Sequence, residues 1–311
     1  MSCPTDSADG YSGNVRKVWE QFFSVLPAGA RILDVGTGNG ALPLIAVDAA
    51  RKRSVVFEVH GVDLARIDPR RVVPGGEQLF GNTVFHAGVA AEAMPFADGY
   101  FHAVAGQYSL EYTRRDAALA EIRRVLAAKG PARFMLHHAS SIVVTTAHES
   151  LAHARELDER AAAFADLREY VAAERTDAER AARLHARIVE RIAHLHRLSA
   201  QSKGSQLLAD VLPALGRLFE LRQRLSPSEF DEAFDRTYRA FKAALQRLRE
   251  MIDAALDEPA MQRVAAQARA AGFGDVRFAP LVQDAGTLVG WQLDMISAPI
   301  AGEGGSASSP L

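Results

Sequence analysis

The sequence predicts an α/β fold: a doubly wound, mostly parallel sheet with a large all-helical segment inserted late in the chain. Three observations carry this. Short apolar runs rich in β-branched residues alternate with amphipathic stretches over the first 140 residues. One of these runs, Ala30-Arg31-Ile32-Leu33-Asp34-Val35, breaks into Gly36-Thr37-Gly38-Asn39-Gly40 and then into the helix-compatible segment Ala41 to Ala50. Strand, glycine turn and helix in that order present a helix N-terminus and bare backbone to a ligand. Finally, from about Ala147 to Ala271 the chain is rich in Ala, Arg, Glu and Leu and shows no strand signal.

Composition sets outer bounds. The 311 residues are 48% apolar and 24% charged, with a net charge of −2, so no basic field advertises nucleic acid or an anionic membrane. The single cysteine, Cys3, excludes a disulfide scaffold and a cysteine-ligated metal. Met1 to Gly10 lacks the basic start and apolar core of a signal peptide. No stretch approaches the roughly 20 apolar residues of a membrane span. The expectation is a cytoplasmic protein.

In chain order, residues 1–13 read as a flexible lead-in. Val15, Val18, Trp19, Phe22 and Phe23 then recur at helical spacing until Leu26-Pro27. Arg31 to Val35 is the first strand. Val55 to Val62, ending at Asp63, is the second, and the pair spans a βαβ unit. Pro69, Pro74, Gly75 and Gly76 allow only short helices in the next segment. Thr83 to Ala87, Phe101 to Gly106 and Ala132 to Leu136 follow as strands, with an amphipathic helix over Asp116 to Leu126. In the insertion the expected helices are 147–174, 177–200, 205–224, 228–253 and 258–271. Capping boxes are expected at Thr176–Glu179 and Ser226–Glu229, and a kink at Pro213. Phe230, Phe234, Tyr238, Phe241, Leu245, Leu248 and Ile252 form one apolar seam suited to a core or to a coiled coil. Val276 to Ala279 and Leu288 to Met295 close the sheet at seven strands, and 297–311 read as a flexible tail.

The glycine run spells G-x-G-x-G, where a dinucleotide oxidoreductase more typically shows G-x-G-x-x-G. Asp63 ends the second strand, where a carboxylate receives a ribose diol. Glu92-Ala93-Met94-Pro95-Phe96 precedes the fourth strand, and Glu121-Ile122-Arg123-Arg124-Val125-Leu126 ends the next helix.

On these residues the chain resembles a class I S-adenosylmethionine-dependent methyltransferase, of the broad group that includes the ubiquinone- and menaquinone-type small-molecule enzymes. The resemblance covers residues 30–138 and, more thinly, 272–296; the helical insertion lies outside it. It implies a Rossmann-like sheet of seven strands with the last antiparallel, and S-adenosyl-L-methionine at the ends of strands one, two and four. Gly36, Thr37 and Gly38 would pass the methionine and ribose, Asp34 would orient that loop, and Asp63 would accept both ribose hydroxyls. Leu64 would lie against the adenine, and Gln107 would contribute backbone beside the methionine. Many relatives carry an adenine-binding acid where Ala90 stands, which leaves that contact to Glu92, to backbone near Ala91, or unmade. The family's Phe-Asp pair is here Phe101-His102, and its Pro-Gly-Gly turn is Ala128-Lys129-Gly130.

A base is needed only if the acceptor must lose a proton. Tyr108, Glu111 and Tyr112 after strand four, and His137 and His138 after strand five, are the candidates; imidazole titrates nearest neutrality. The histidines lack metal-binding spacing, and no metal is expected. The expected function is methyl transfer to a small-molecule acceptor. The alternatives are a cofactor-binding protein without chemistry, acting as a sensor or assembly partner, and an NAD-type oxidoreductase. No nucleic acid or membrane partner is expected. The insertion, 147–271, reads as an acceptor lid, a homodimer interface or both, on a core of 14–146 and 272–296.

Overall fold

The computed structural model describes residues 13–160 and 162–299; the expectations for the lead-in, for Cys3 and for most of the tail lie outside them. Seven strands form one sheet in the order β3-β2-β1-β4-β5-β7-β6. They are β1 (Arg31–Val35), β2 (Glu58–Asp63), β3 (Val84–Ala87), β4 (Ala103–Gln107), β5 (Pro131–Leu136), β6 (Phe273–Val282) and β7 (Leu288–Ser297). The first five are parallel, and β7 runs antiparallel to β5 and β6. The chain reverses its winding between β1 and β4, and in such sheets ligands bind at the carboxyl ends of the strands beside that point.

Helices α1 (Gly13–Ser24) and α2 (Ala41–Lys52) cover one face through Trp19, Phe22, Phe23, Leu42 and Ile45. The short helices α3 (Pro69–Val72) and α4 (Gly76–Leu79) lead into β3. On the other face α5 (Arg115–Val125) buries Leu119, Ile122 and Val125 against Phe101, Val104 and Phe134. Its last turn does a second job. Glu121 accepts from the Met94 backbone amide at 2.6 Å, and Arg124 donates to Glu121, Asp98 and the carbonyls of Met94 and Phe96. The Glu-Ile-Arg-Arg run therefore fastens the loop between β3 and β4. Lys129 stands at φ 58° in the turn where the family carries glycine, and the His102 ring accepts the Arg31 amide at 2.9 Å.

Residues Ile142–Asp253 make a separate all-helical unit. It comprises α6 (Ile142–Arg155), α7 (Ala163–Ala173), α8 (Ala178–Ala200), α9 (Leu207–Leu221) and nearly all of α10 (Pro227–Ala254). Its own core joins Phe164 and Leu167 of α7 with Leu208, Val211 and Leu215 of α9 and Phe230, Phe234, Phe241 and Leu245 of α10. Most of the seam expected along α10, from Phe230 to Leu248, thus packs inside the unit.

Several expectations are corrected. The single helix expected over 147–174 breaks: a π-helical turn at Glu156–Arg160 ends α6, and Ala162 takes φ 45° before α7. The cap of α8 is Asp177, whose carboxylate accepts from the Arg180 amide at 2.9 Å, while the Thr176 hydroxyl turns back to Ala172. At α10 the expected box forms, Ser226 and Glu229 each accepting from the other's amide. Pro213 lies within α9, which continues past it. The insertion begins at 142 rather than 147 and excludes α11 (Glu258–Ala270), because Met261, Val264, Ala265 and Ala268 belong to the core under the sheet. Strand β6 is also longer than expected, since pairing with β7 draws its flanks into the sheet. Among the described residues no helix is long and apolar enough to cross a membrane.

The placement of α11 has a measurable result. Met261 is fully buried, so Met261→Ala should cost about 2–5 kcal/mol. Both tryptophans, Trp19 and Trp291, lie in the α/β unit. Urea unfolding followed by tryptophan fluorescence should therefore report the loss; an unchanged midpoint would place α11 outside this core.

Candidate active site

The loop after β1 is shaped by three amides. Gly36 and Thr37 both donate to the Val62 carbonyl, at 2.9 and 3.0 Å, and Gly38 donates to Asp63 Oδ2 at 2.8 Å. The loop is thereby folded onto the end of β2. Gly36 has φ 72°, and a Cβ there would come within 2.4 Å of the Ser109 side chain, so this position admits no other residue without rearrangement. Gly38 has φ 50° and faces open space, with nothing within 4 Å of where a Cβ would sit. Asp63 Oδ1 takes the Ala65 amide at 2.8 Å. A carboxylate accepts about four hydrogen bonds, so Asp63 keeps capacity for a diol. Leu64, beside it, is 73% exposed.

Asp34 lies deeper, 3% exposed, between Gly61 of β2 and Ala105 of β4. Burial pushes its carboxyl up to about 7; the Thr37 side chain opposes this and the Asp63 charge adds to it. Among the described residues its Oδ1 has no hydrogen-bond partner, and neither has the Thr37 hydroxyl. Such an acid is a ready counter-charge for a cation brought into the crevice.

After β4 the chain turns sharply. Gln107 is buried, with its side-chain oxygen accepting from the Trp19 indole at 2.6 Å. Tyr108 takes φ 54°, a left-handed conformation that costs a bulky residue roughly 1–2 kcal/mol. This turn brings Ser109 against Gly36 and starts the 3₁₀ turn Leu110–Tyr112. Within that turn Glu111 is buried, and its Oε1 accepts both the His137 backbone amide at 2.9 Å and His137 Nδ1 at 2.7 Å. The amide contact fixes the carboxylate as acceptor, so Nδ1 carries hydrogen when the ring is neutral and Nε2 has the free lone pair. Both His137 Nε2 and Glu111 Oε2 are buried without a partner.

The other candidates take different roles. His138 stacks on Trp291 at 4.3 Å and its Nδ1 accepts the Ser140 amide at 2.9 Å; burial lowers its pKa. Glu92 accepts the Arg114 amide through Oε1 at 2.8 Å, which ties it to the start of α5, and Ala91 packs beside the core. Tyr112 stands edge-on to His137.

Seven buried side-chain polar atoms lack a partner among the described residues, and five belong to Asp34, Thr37, Ser109, Glu111 and His137. All five residues sit at or just beyond the ends of β1, β4 and β5. Unsatisfied buried groups are rare and costly, and their gathering at the switch point marks the place where a polar ligand completes the structure. Sequence reasoning missed Ser109, whose part is visible only once Gly36 lies against it. It named Glu111 and His137 without pairing them, since 26 positions separate them and only the β4–β5 register brings them together.

The raised Asp34 pKa fixes a pH dependence. Below about pH 4 the group is protonated in both folded and unfolded chains. Between its unfolded value of 3.8 and about 7 only the unfolded chain gives up the proton, so stability falls as pH rises. Asp34→Asn should therefore stabilise the free protein above pH 7, by on the order of a few kcal/mol, with the gain fading toward pH 4. Urea unfolding across that range checks it, and a pH-independent difference would refute it.

Residues 32–130 match the family model of a methyltransferase domain. The malonyl-[acyl-carrier protein] O-methyltransferase of Geobacter sulfurreducens is 35% identical over 135 residues, which is 41% of this chain and 48% of that protein. The ubiquinone/menaquinone biosynthesis C-methyltransferase UbiE of Paraburkholderia phymatum is 33% identical over 129 residues, 39% of this chain and 50% of that one. The chain spans about half the length of the curated relatives it matches. Among solved structures, the CMeT domain of the citrinin polyketide synthase aligns over 92% of this chain and 52% of its own, at 12% identity and a TM-score of 0.46. The G-x-G-x-G loop after β1 and the acid ending β2 both lie within residues 32–130, the segment that matches a methyltransferase domain.

Proposed function

We propose that the protein transfers a methyl group from S-adenosyl-L-methionine to a small-molecule acceptor that must lose a proton to react. The observation that carries this reading is the buried Glu111–His137 pair, with Nε2 unpartnered at the same strand ends as the glycine loop.

The residues present fit the cofactor. Gly36, Thr37 and Gly38 offer a loop without side-chain bulk on its open side, and Asp63 keeps acceptor capacity for the ribose hydroxyls. Asp34 supplies negative charge for the cationic amino-acid head. Leu64 is exposed where the adenine would lie, and backbone at Gln107 would flank the methionine. Adenine contacts fall to backbone at Ala91 and to the remaining oxygen of Glu92. Bound there, S-adenosylmethionine supplies a methyl group already activated on sulfonium, transferred by in-line displacement.

The protein's part is then alignment, exclusion of water and removal of one proton. His137 Nε2 takes that proton from the acceptor, and Glu111 holds the ring in the Nδ1–H tautomer and balances the imidazolium that forms. The two curated relatives are named for methylation at oxygen and at carbon. A base of this kind serves a hydroxyl or a carbon acid alike.

Calorimetry should show S-adenosylmethionine and S-adenosylhomocysteine binding while NAD does not. Gly38→Val, forced into a left-handed backbone, should weaken binding at least tenfold. Formation of S-adenosylhomocysteine in a metabolite extract should fall by about 10²–10⁴-fold in His137→Ala, with cofactor affinity unchanged. Glu111→Gln should fall in the same direction by a smaller factor. Full turnover in His137→Ala would exclude it as the base, and failure of both sulfur compounds to bind would end the reading.

A further inference from the structure

The Glu111 contact fixes one edge of the His137 imidazole, but a ring held at one nitrogen still rocks about that bond. Its faces must be held as well. Tyr108 covers one of them. Its ring lies 4.1 Å from the imidazole, centroid to centroid, at 25° between planes. The Tyr108 hydroxyl donates to the Val289 carbonyl of β7 at 3.2 Å, and its backbone amide donates to the Met135 carbonyl of β5 at 2.8 Å. Strand β7 comes this close because Gly290 has no side chain: a Cβ there would sit 2.7 Å from the Leu136 carbonyl oxygen and 3.6 Å from the Tyr108 hydroxyl.

The backbone at Tyr108 adds an independent argument. Glycine or asparagine would occupy φ 54° at less cost, yet a tyrosine stands there. A strained conformation persists where its surroundings over-determine it, and such positions cluster at functional sites. The same backbone turn delivers Ser109 to Gly36 and Glu111 to His137, while the Tyr108 ring itself faces only the imidazole side.

We propose that Tyr108 is a positioning residue, whose ring clamps the face of His137 so that Nε2 points steadily at the acceptor. The proposal rests on the reading of His137 as base, and its test is separable from that reading because it needs neither acceptor nor turnover. The readout is the tautomer of His137, taken from two-bond ¹H–¹⁵N correlations of the imidazole in uniformly ¹⁵N-labelled full-length protein.

Wild type should show His137 as one set of signals in the Nδ1–H form at neutral imidazole. Tyr108→Phe keeps the ring and loses only the hydroxyl anchor, and should keep that signature. Tyr108→Asn suits the left-handed backbone but lacks the ring, and should show averaged tautomers or broadened signals. S-adenosylhomocysteine affinity by calorimetry should stay within about threefold of wild type in both variants. Should the asparagine variant fail to fold, Tyr108→Gly, equally suited to the backbone, takes its place with the same expected outcome. A wild-type signature in the ring-less variant, or its loss in Tyr108→Phe, overturns the proposal. Loss of turnover on removing His137 bears on the base and leaves this result standing.

Discussion

The Asp63 carboxylate joins two loops that the sheet alone would leave apart. One oxygen holds Gly38 of the turn after β1, and the other holds Ala65 of the turn after β2. A charge-assisted bond to backbone amide is stronger than its neutral counterpart and fixes direction as well as distance. Because Gly36 and Thr37 already hang from Val62, the Gly38 bond leaves the loop little freedom. Its open side faces the crevice, and the crevice is built around it: Ser109 fits against Gly36, and the 3₁₀ turn that follows carries Glu111 to His137. Burial chiefly raises the proton affinity of Asp34, and the Asp63 charge adds to it.

Most of the sheet is legible in the sequence because the central parallel strands, β1, β4 and most of β2 and β5, are buried and read as apolar runs, while only the edge strand β3 is largely exposed. β1 is found to the residue, and β2 to β5 to within a few. The misreadings have identifiable causes. Composition alone put α11 with the insertion, since an Ala-rich amphipathic helix looks the same whether it packs on a sheet or on other helices; only the burial of Met261 and Val264 in the core beside α5 and β6 assigns it. The break at Ala162 carries no glycine or proline to announce it. At α8 two adjacent cap-forming residues competed, and the carboxylate of Asp177 prevailed over the hydroxyl of Thr176.

The site divides along a different line. What depends on local spacing, the glycine loop and the acid ending β2, could be read directly. What depends on register could not. Glu111 and His137 become a pair because Gln107 and Met135 lie opposite one another in β4 and β5, and Tyr108 meets Val289 only through an antiparallel strand more than 150 residues away. Glu92 shows the converse: its type and position suggested a ligand contact, yet one of its oxygens is committed to the start of α5.

The polypeptide leaves β5 for the long helical excursion and returns at Leu256, where the Leu256 amide bonds the His137 carbonyl and its carbonyl receives the Ala139 amide. Trp291 adds its indole to the same carbonyl. Outgoing and incoming backbone are thus stitched together at the base of the excursion, so that as far as the sheet is concerned it has the footprint of a hairpin bend. Closing even a very long loop costs only logarithmically with its length. A scaffold with such a sewn gate can exchange what lies beyond it for something larger, smaller or differently shaped without disturbing the strands beneath.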